Sequence, residues 1–222
     1  MIDKTKFIDI HTHQEPKGID RVGVVNLYPD KIPEVRKDGY YSLGLHPWFI
    51  PEKGLDNLFK ILEENALMPE IVAIGECGLD KLSKCPMNVQ QKVFERQIEI
   101  AEQVQKPLII HCVHAFNELV QTKMHSKSIV EWIVHGFNSN TMVADMLLRH
   151  EIYLSFGKAL FNPQSNASKV ILEVEDDMFL LETDDADVDI QSVYQAVSRL
   201  VDMDLDLLKL SMFTNFINCF KI

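Results

Sequence analysis

Short apolar runs alternate with longer amphipathic segments along this chain, and this alternation limits the possible folds more than any other sequence feature. Most of the runs are nearly continuous in Val, Ile, Leu or Phe, which is typical of strands buried on both faces of a parallel sheet. We predict strands at Phe7–Ile10, Val22–Leu27, Ser42–Leu45, Val72–Gly75, Leu108–Ile110, Ile129–Val134, Ile152–Phe156 and Phe179–Leu181. Eight such strands predict an α/β fold, a lean (β/α)8 TIM-type barrel, with a doubly wound open sheet as the competing interpretation.

Helical periodicity fills most of the segments between these runs. The strongest pattern predicts a helix from Val89 to Gln105, with Asn88 as its N-cap. Further helices are predicted over residues 55–66, 116–123, 141–149, 167–174, 190–201 and 205–220. The segment between Leu27 and Ser42 has room for one short helix at most. No repeat or Gly/Ser-rich linker interrupts the chain, so we predict a single domain over residues 1–222.

Composition excludes several classes of function. Among 222 residues, 33 Asp and Glu outnumber 22 Lys and Arg, which gives a formal net charge of −11. A broad basic surface for binding phosphates is therefore excluded, and any contact with nucleic acid must be local or carried by bound cations. No apolar run approaches the ~20 residues that span a bilayer. The four cysteines form no CxxC pair and no export signal is present, so we expect a reduced, cytoplasmic protein and no zinc–thiolate site.

Histidines and carboxylates occur at the ends of the predicted strands. At any single position of this kind, a histidine is more often a structural residue and a carboxylate is more often a helix cap. Here they share the same end of successive strands, where a parallel barrel builds its active site. The candidate site residues are His11 and His13 after the first strand, His46 after the third, Glu76 after the fourth, His111 and His135 at the ends of the fifth and sixth, and Asp184 just past the eighth.

The His11-Thr12-His13 segment has the geometry of a metal-binding motif. Residues two apart in extended backbone project to the same side, so both imidazoles can reach one ion. Four of these histidines, His11, His13, His111 and His135, together with the two carboxylates exceed what one ion needs. A carboxylate can bridge two ions ~3.5–4 Å apart. We therefore predict two divalent metal ions, with Zn, Mn and Mg all compatible with the nitrogen and oxygen donors.

Seven segments together resemble the TatD-type metal-dependent hydrolases, a family of amidohydrolase-like barrels. The resemblance is carried by the combination, since no single segment is specific. The matching segments, which occur in the family's order, are Phe7–His13, Gly44–Trp48, Ala73–Asp80, Gln90–Ala101, Pro107–His111, His135–Phe137 and Leu180–Asp184.

The resemblance implies a role for each matching residue. His11 and His13 would bind one metal, His111 and His135 would bind the second, and Glu76 would bridge both. Asp184 would bind the first metal and orient or deprotonate the attacking water, which makes Asp184 and Glu76 the implied catalytic residues. His46 would lie near the substrate phosphate. The implied activity is metal-dependent hydrolysis of phosphodiester bonds, with DNA or a small phosphoester as substrate.

The chain also departs from the family pattern around the substrate. Val113 replaces an arginine that the family usually has two residues after the fifth-strand histidine, and the following His114 either replaces it in part or is a surface residue. Asn138-Ser139 replaces a Ser-Gly pair, and Asp185 and Asp187 add negative charge after Asp184. Loss of a bidentate phosphate ligand favours a rival hydrolase acting on a lactone or cyclic amide.

Two further alternatives stay open from the sequence. A non-catalytic metal-binding scaffold on the same fold is the rival from outside enzymes, although the retained Glu76 and Asp184 oppose it. Trp48 and Phe49 either stack a nucleobase at the barrel rim or pack within their own loop. We expect a monomer without a protein partner and without a membrane segment.

Overall fold

A computed structural model describes residues 2–29, 32 and 35–222 of the chain. Its strands are β1 (Phe7–Thr12), β2 (Arg21–Leu27), β3 (Tyr40–Leu43), β4 (Ile71–Asp80), β5 (Leu108–Val113), β6 (Trp132–Val134), β7 (Ile152–Phe156) and β8 (Phe179–Leu181). Its α-helices are α1 (Leu55–Asn65), α2 (Met87–Val104), α3 (Phe116–Ser126), α4 (Thr141–Leu148), α5 (Asn166–Val170), α6 (Ile190–Leu200) and α7 (Leu205–Phe220), and a 3-10 helix covers Lys158–Phe161. Within these described ranges, no helix has both the length and the apolar character needed to cross a membrane.

The strands form one sheet in which each strand neighbours the next along the chain, in the order β1 to β8. Neighbouring strands run parallel, as β3 does with β4 and β4 does with β5. A parallel bridge between Thr12 and Asp184 connects the end of β1 to the residues that follow β8. Sequential strand order, with a helix between each pair of successive strands from β3 to β8, is that of a (β/α)8 TIM-type barrel. The doubly wound alternative, in which the strand order reverses at a switch point, is therefore wrong.

Residues 2–25 and 134–222 form one of two compact units. Its core contains Tyr194 of α6, which packs edge-on against Phe7 of β1 with ring centres 5.1 Å apart. The buried Tyr194 hydroxyl donates to the Ile8 carbonyl at 3.1 Å and accepts from the Ile8 N–H at 3.0 Å. Lys209 of α7 covers the Phe7 ring at 4.4 Å. These contacts fix β1, the strand that carries His11, against the helices of its own unit.

Residues 26–133 form the other unit, in which two buried glutamines of α2 bind the backbone at strand ends. Gln97 accepts from the Leu45 N–H at 2.7 Å and donates to the Leu45 carbonyl at 3.2 Å. Gln90 makes the same pair of bonds with the backbone of Asp80, at 2.8 and 2.9 Å. Each amide thereby satisfies both backbone groups of a buried residue. The two glutamines fix the chain beside His46 and at the end of β4.

Two glycines bring β4 against β5 more closely than side chains allow. Gly78 has φ +136°, and a Cβ built on it would lie 2.1 Å from the His111 carbonyl oxygen. Gly75 has φ +155°, and its Cβ would lie 2.5 Å from the Ile109 oxygen. Both positions therefore require glycine, on conformational and on steric grounds. Glu76 lies between them on the strand.

Observed and predicted strands differ mainly at their ends. β7 and β8 have the predicted bounds, whereas β4 continues to Asp80 instead of ending at Gly75. Glu76 therefore lies inside β4, and His11 and His111 likewise lie inside β1 and β5. Residues 76–80 pair with β5 through backbone groups, as Cys77 does with Ile110. The sequence pattern did not predict this extension of β4, because polar and glycine residues interrupt the apolar run there.

Helix ends show smaller differences. α2 begins at Met87 after Pro86, so Asn88 is inside the helix and is not its N-cap. α5 ends at Val170, four residues before the predicted end, and its N-cap is Ser165. The short helix allowed between Leu27 and Ser42 falls partly on residues 30, 31, 33 and 34, which lie outside the described residues. The prediction of a single domain over residues 1–222 remains a prediction.

Candidate metal centres

The first group of potential ligands consists of His11, His135 and Asp184, and belongs to the unit formed by residues 2–25 and 134–222. We call it the first triad. One ligand atom from each residue lies within 4.8 Å of the others. His11 is fully buried inside β1, His135 follows β6 directly, and Asp184 lies three residues after β8. The rings of His11 and His135 are 4.4 Å apart.

Backbone pairing places Asp184 beside both histidines of the first predicted motif. The Asp184 N–H donates to the His11 carbonyl at 2.9 Å, and the His13 N–H donates to the Asp184 carbonyl at 3.0 Å. Asp184 adopts φ +56°, a left-handed conformation that aspartate tolerates better than most residues. Its Oδ1 then lies 3.7 Å from His11 Nε2 and 3.5 Å from His13 Nε2. His13 is therefore placed to add a fourth ligand to the first triad.

Two buried carboxylates next to the first triad support this arrangement. Glu182 accepts from the Gly136 N–H at 2.7 Å and lies 3.5 Å from His135 Nδ1. Burial alone would raise the pKa of Glu182, but its hydrogen bond and charge interaction with His135 hold that pKa below its ordinary value. Asp9 accepts from both the N–H and the hydroxyl of Thr183, at 3.0 and 2.6 Å. Burial raises the pKa of Asp9 to about 7 against these bonds.

The second triad consists of His46, Glu76 and His111, all in the unit of residues 26–133. Its ligand atoms also lie within 4.8 Å of one another. Glu76 Oε1 is 3.1 Å from His46 Nε2 and 3.1 Å from His111 Nδ1. The backbone N–H of Glu76 donates to Asn26 Oδ1 at 2.7 Å, which fixes the residue on β4.

Each imidazole of the second triad is also bound through its other nitrogen. His46 Nδ1 accepts from the Trp48 N–H at 3.0 Å, which leaves Nε2 facing Glu76. His111 Nε2 lies 2.9 Å from the buried Asp80 carboxylate, which leaves Nδ1 facing Glu76. Asp80 also accepts from Trp48 Nε1 at 2.6 Å and from the Leu82 N–H at 2.7 Å. Burial opposes ionisation, but the bonds with His111, Leu82 and Trp48 keep the pKa of Asp80 below its ordinary value.

The donor atoms of both triads fit divalent metal ions. Imidazole nitrogen suits zinc and related transition metals, and carboxylate oxygen also suits Mn²⁺ and Mg²⁺. Three protein ligands leave a coordination position for water or substrate, as catalytic zinc sites do. A carboxylate bound to the far nitrogen of a histidine, as Asp80 is to His111, is the usual outer partner of a metal-binding imidazole.

The two cysteines that adjoin candidate ligands belong to neither triad of the described residues. Cys77 and Cys112 are both buried. Burial raises the pKa of Cys77 well above its ordinary value and that of Cys112 to about 12. Without a bound metal, both thiols are therefore protonated at neutral pH, and thiolate is the form that attacks a substrate. They serve as small packing residues.

The sequence candidate His114 lies outside both triads, and two others have ligand neighbours that the resemblance does not specify. His114 is exposed at φ +55° shortly before α3 and belongs to neither triad of the described chain. The resemblance implies that His46 contacts substrate, whereas its ring lies with Glu76 and His111. It also implies that His135 shares a metal with His111, whereas the His135 ligand atom lies with those of His11 and Asp184. Lys158 neutralises the extra charge of Asp185 at 2.7 Å.

Sequence reasoning missed the supporting carboxylates Asp80 and Glu182 and the role of Trp48. A signal was present for Glu182, which directly follows the apolar run Phe179–Leu181, whereas Asp80 follows the interrupted residues 76–79. A buried carboxylate is costly unless it is paired, so such a position predicts a partner. The identity of that partner depends on contacts across the unit, which spacing along the chain does not reveal.

Comparison with known proteins gives consistent matches. The family model described as TatD related DNase matches residues 30–221. The uncharacterized metal-dependent hydrolase YabD of Bacillus subtilis (strain 168) is 34% identical over 148 residues, which cover 65% of this chain and 58% of that protein. The human 3'-5' RNA nuclease TATDN2 is 32% identical over 152 residues, which cover 64% of this chain and 19% of that protein. The matched regions therefore cover less than two thirds of the length of either relative.

A solved structure shows the same fold. The crystal structure of YJJV, a TatD homologue from Escherichia coli, matches with a TM-score of 0.86 and 21% identity, over 99% of this chain and 100% of that one. The family model extends over most of the described residues and includes Glu76, His111, His135 and Asp184. Together with the two triads, these matches lead to one conclusion: the chain belongs to the TatD related DNase family.

Proposed function

We propose that this protein is a divalent-metal-dependent phosphodiesterase that cleaves single-stranded nucleic acid. The observation that carries the proposal is the presence of two His/carboxylate triads in one chain of this family. The family model is described as a DNase and one relative is named an RNA nuclease, which supports nucleic acid as the substrate class. DNA is our first choice of substrate and RNA is tested beside it.

We assign one ion to each triad. His11, His13, His135 and Asp184 would hold the first ion, and Glu76, His111 and His46 the second. We retain from the resemblance the proposal that Glu76 serves both ions. When bound, divalent ions lower the pKa of an attacking water and neutralise charge that develops on phosphoryl oxygens. Zn, Mn and Mg remain the candidates for their identity.

The chain's own residues position the proton transfer. Asp184 is the proposed proton acceptor, because its backbone is fixed by two hydrogen bonds and its carboxylate faces His11 and His13. Lys158 pairs with the neighbouring Asp185, so less negative charge faces an approaching phosphate. The Trp48 N–H fixes the Nδ1 atom of His46. We place His46 and the exposed His114 near the substrate.

Replacement of Asp184 tests the proposal directly. We expect Asp184→Asn to lower the cleavage rate of labelled single-stranded DNA and RNA about 10²- to 10⁴-fold, the usual contribution of a general base. Reactions would contain Mg²⁺, Mn²⁺ or Zn²⁺, and a chelator should abolish them. The matched control is Asp177→Asn, an exposed aspartate that precedes β8 whereas Asp184 follows it, and this variant should keep full activity. Cleavage that survives in Asp184→Asn would contradict the assignment.

A second candidate function is hydrolysis of a small non-nucleic-acid substrate such as a lactone, a cyclic amide or a phosphoester. Val113 in place of the family arginine favours this alternative, because one bidentate phosphate contact is missing. A substrate panel containing a phosphodiester and a lactone separates the two candidates. We further propose a cytoplasmic monomer, and the mass measured by light scattering after gel filtration would test the oligomeric state.

A further inference from the structure

A pocket of about 420 Å³ opens beside His46 of the second triad. This volume lies within the range of small-molecule sites. Its described lining includes Tyr28, Leu45, His46, Phe49, Lys53 and Leu58. His46 is therefore the one described residue that this pocket shares with the second triad. The other residues that line the pocket belong to neither triad.

A tight turn fixes Phe49 relative to His46. The Phe49 N–H donates to the His46 carbonyl at 3.0 Å, and the Trp48 N–H donates to His46 Nδ1 at 3.0 Å. The Phe49 ring centre then lies 5.4 Å from that of His46, with the planes tilted by 42°. A ligand that contacts Phe49 is thereby held at a set distance from the second triad.

Aromatic surface is left open in this pocket. Tyr28 meets Phe49 edge-on, with ring centres 5.4 Å apart and planes at 90°. This packing supports one side of the Phe49 ring, yet 59% of the residue is exposed. An exposed, rigidly held aromatic ring beside a polar site is a stacking platform for a planar ligand.

Trp48 and Phe49 have different roles although they are neighbours of similar exposure. Trp48 donates its Nε1–H to Asp80, the carboxylate that fixes His111. Trp48 therefore helps to hold the second triad in place. Phe49 carries no polar group, so the open face of its ring is the part of this turn that a planar ligand can use.

The charge of the pocket fits an anionic ligand with an apolar planar part. Lys53 is the only Lys, Arg, Asp or Glu among the described residues that line it. In a chain with formal net charge −11, a cation in the lining of an aromatic pocket is a local exception. Single-stranded nucleic acid presents both features, since bases stack on aromatic rings and the backbone pairs with lysine.

We propose that this pocket binds a nucleobase of the substrate, stacked on Phe49 with Tyr28 as its second wall, while Lys53 contacts the adjoining phosphate. The inference rests on the proposed function, because it names the part of the nucleic acid that enters beside His46. It assigns base recognition to residues outside both triads.

Binding to abasic DNA tests the pocket without any need for catalysis. Dissociation constants would be measured in chelator for a short fluorescent single strand and for the same strand with abasic residues. We expect Phe49→Leu to weaken binding of the base-bearing strand about 5- to 150-fold and to leave the abasic strand unchanged. Phe49→Trp, which keeps a ring face, should retain base-dependent binding.

Two controls separate stacking from other effects. Leu67→Ala removes an exposed apolar side chain of the same unit outside the pocket, and should change neither dissociation constant. Lys53→Gln should weaken both strands by the same factor and reduce the salt slope by about one. An equal loss on both strands for Phe49→Leu, or no loss, would overturn the proposal.

Parallel cleavage assays distinguish this inference from the proposed function. A wild-type protein that cleaves DNA but binds abasic and base-bearing strands equally would disprove the pocket alone. A protein that selects the base-bearing strand through Phe49 but cleaves no phosphodiester with any metal would disprove the proposed activity and leave the pocket standing.

Discussion

At the scale of single residues, the buried Asp80 carboxylate connects several groups around the second triad. It binds His111 Nε2, the Trp48 indole N–H and the Leu82 N–H together. An imidazole bound in this way has a fixed ring orientation and a fixed tautomer. Asp80 therefore determines which nitrogen of His111 faces Glu76, although it offers no atom to that triad.

The variant Asp80→Asn should weaken metal binding without unfolding the protein. An amide keeps the shape but loses the charge that orients His111, so we expect about 10- to 100-fold lower affinity for one of two bound ions. Competition with a coloured zinc chelator measures this affinity, and circular dichroism confirms folding. Asp177→Asn is the control on the surface. An unchanged affinity would mean that Asp80 serves only the backbone turn at Leu82.

At the scale of elements, β4 depends on glycine where it approaches β5. We expect Gly78→Ala to lower the free energy of unfolding by roughly 3 kcal/mol or more, because both the positive φ and the contact with the His111 carbonyl are unfavourable to alanine. Urea denaturation measures the change. Gly54→Ala is the matched control, since Gly54 has φ +82° but a Cβ there would meet no atom within 4 Å, and we expect only ~1 kcal/mol. Similar losses in both variants would refute the steric argument.

α2 is connected to the segment before β6 through Glu102. Its carboxylate accepts from the Ser128 hydroxyl, from the Ile129 N–H at 2.8 Å and from the Val130 N–H at 3.1 Å. Burial alone would raise the pKa of Glu102, but these bonds hold it below the ordinary 4.5. Because the folded-state pKa is the lower one, the stabilisation is complete above the unfolded-state value and is lost as pH falls through the folded-state value.

The comparison of wild type with Glu102→Gln tests this pH dependence. We expect the difference in free energy of unfolding to be constant from about pH 6 to 8 and to shrink below ~4.5. Urea denaturation across this pH range measures it, with Glu99→Gln on the same helix as the control. A difference that grows on acidification would reverse the inferred direction of the pKa shift.

At the scale of the whole molecule, each triad is completed within one compact unit. An ion that binds only the folded protein adds about 2.7 kcal/mol at a hundredfold excess over its dissociation constant, and each kcal/mol raises Tm by ~2–4 °C at this chain length. We therefore expect Mn²⁺ or Zn²⁺ to raise Tm by about 5–10 °C per site, with two binding events in calorimetry. His11→Ala should remove one event and keep the other. An unchanged Tm in the presence of both ions would contradict both proposed sites.

The fold was predictable because the apolar runs at residues 152–156 and 179–181 are complete strands whose neighbours bury both faces. The sequence also indicated which histidines and carboxylates to examine, since those residues are polar exceptions beside such runs. It did not predict that β4 continues past Gly75, because backbone pairing with β5 replaces apolar pattern there. The grouping of His135 with Asp184 depends on the bridge between Thr12 and Asp184, which joins residues far apart in sequence.

That bridge also sets the order in which the centres become available during synthesis on the ribosome. Every ligand of the second triad, together with Asp80 and Trp48, is present once residue 111 has left the exit tunnel. The first triad needs Asp184, whose backbone pairs with the end of β1 only after most of the chain has been translated. A nascent chain whose residues 1–133 have all emerged from the tunnel would therefore present every ligand of the second triad, but only His11 and His13 of the four residues assigned to the first ion.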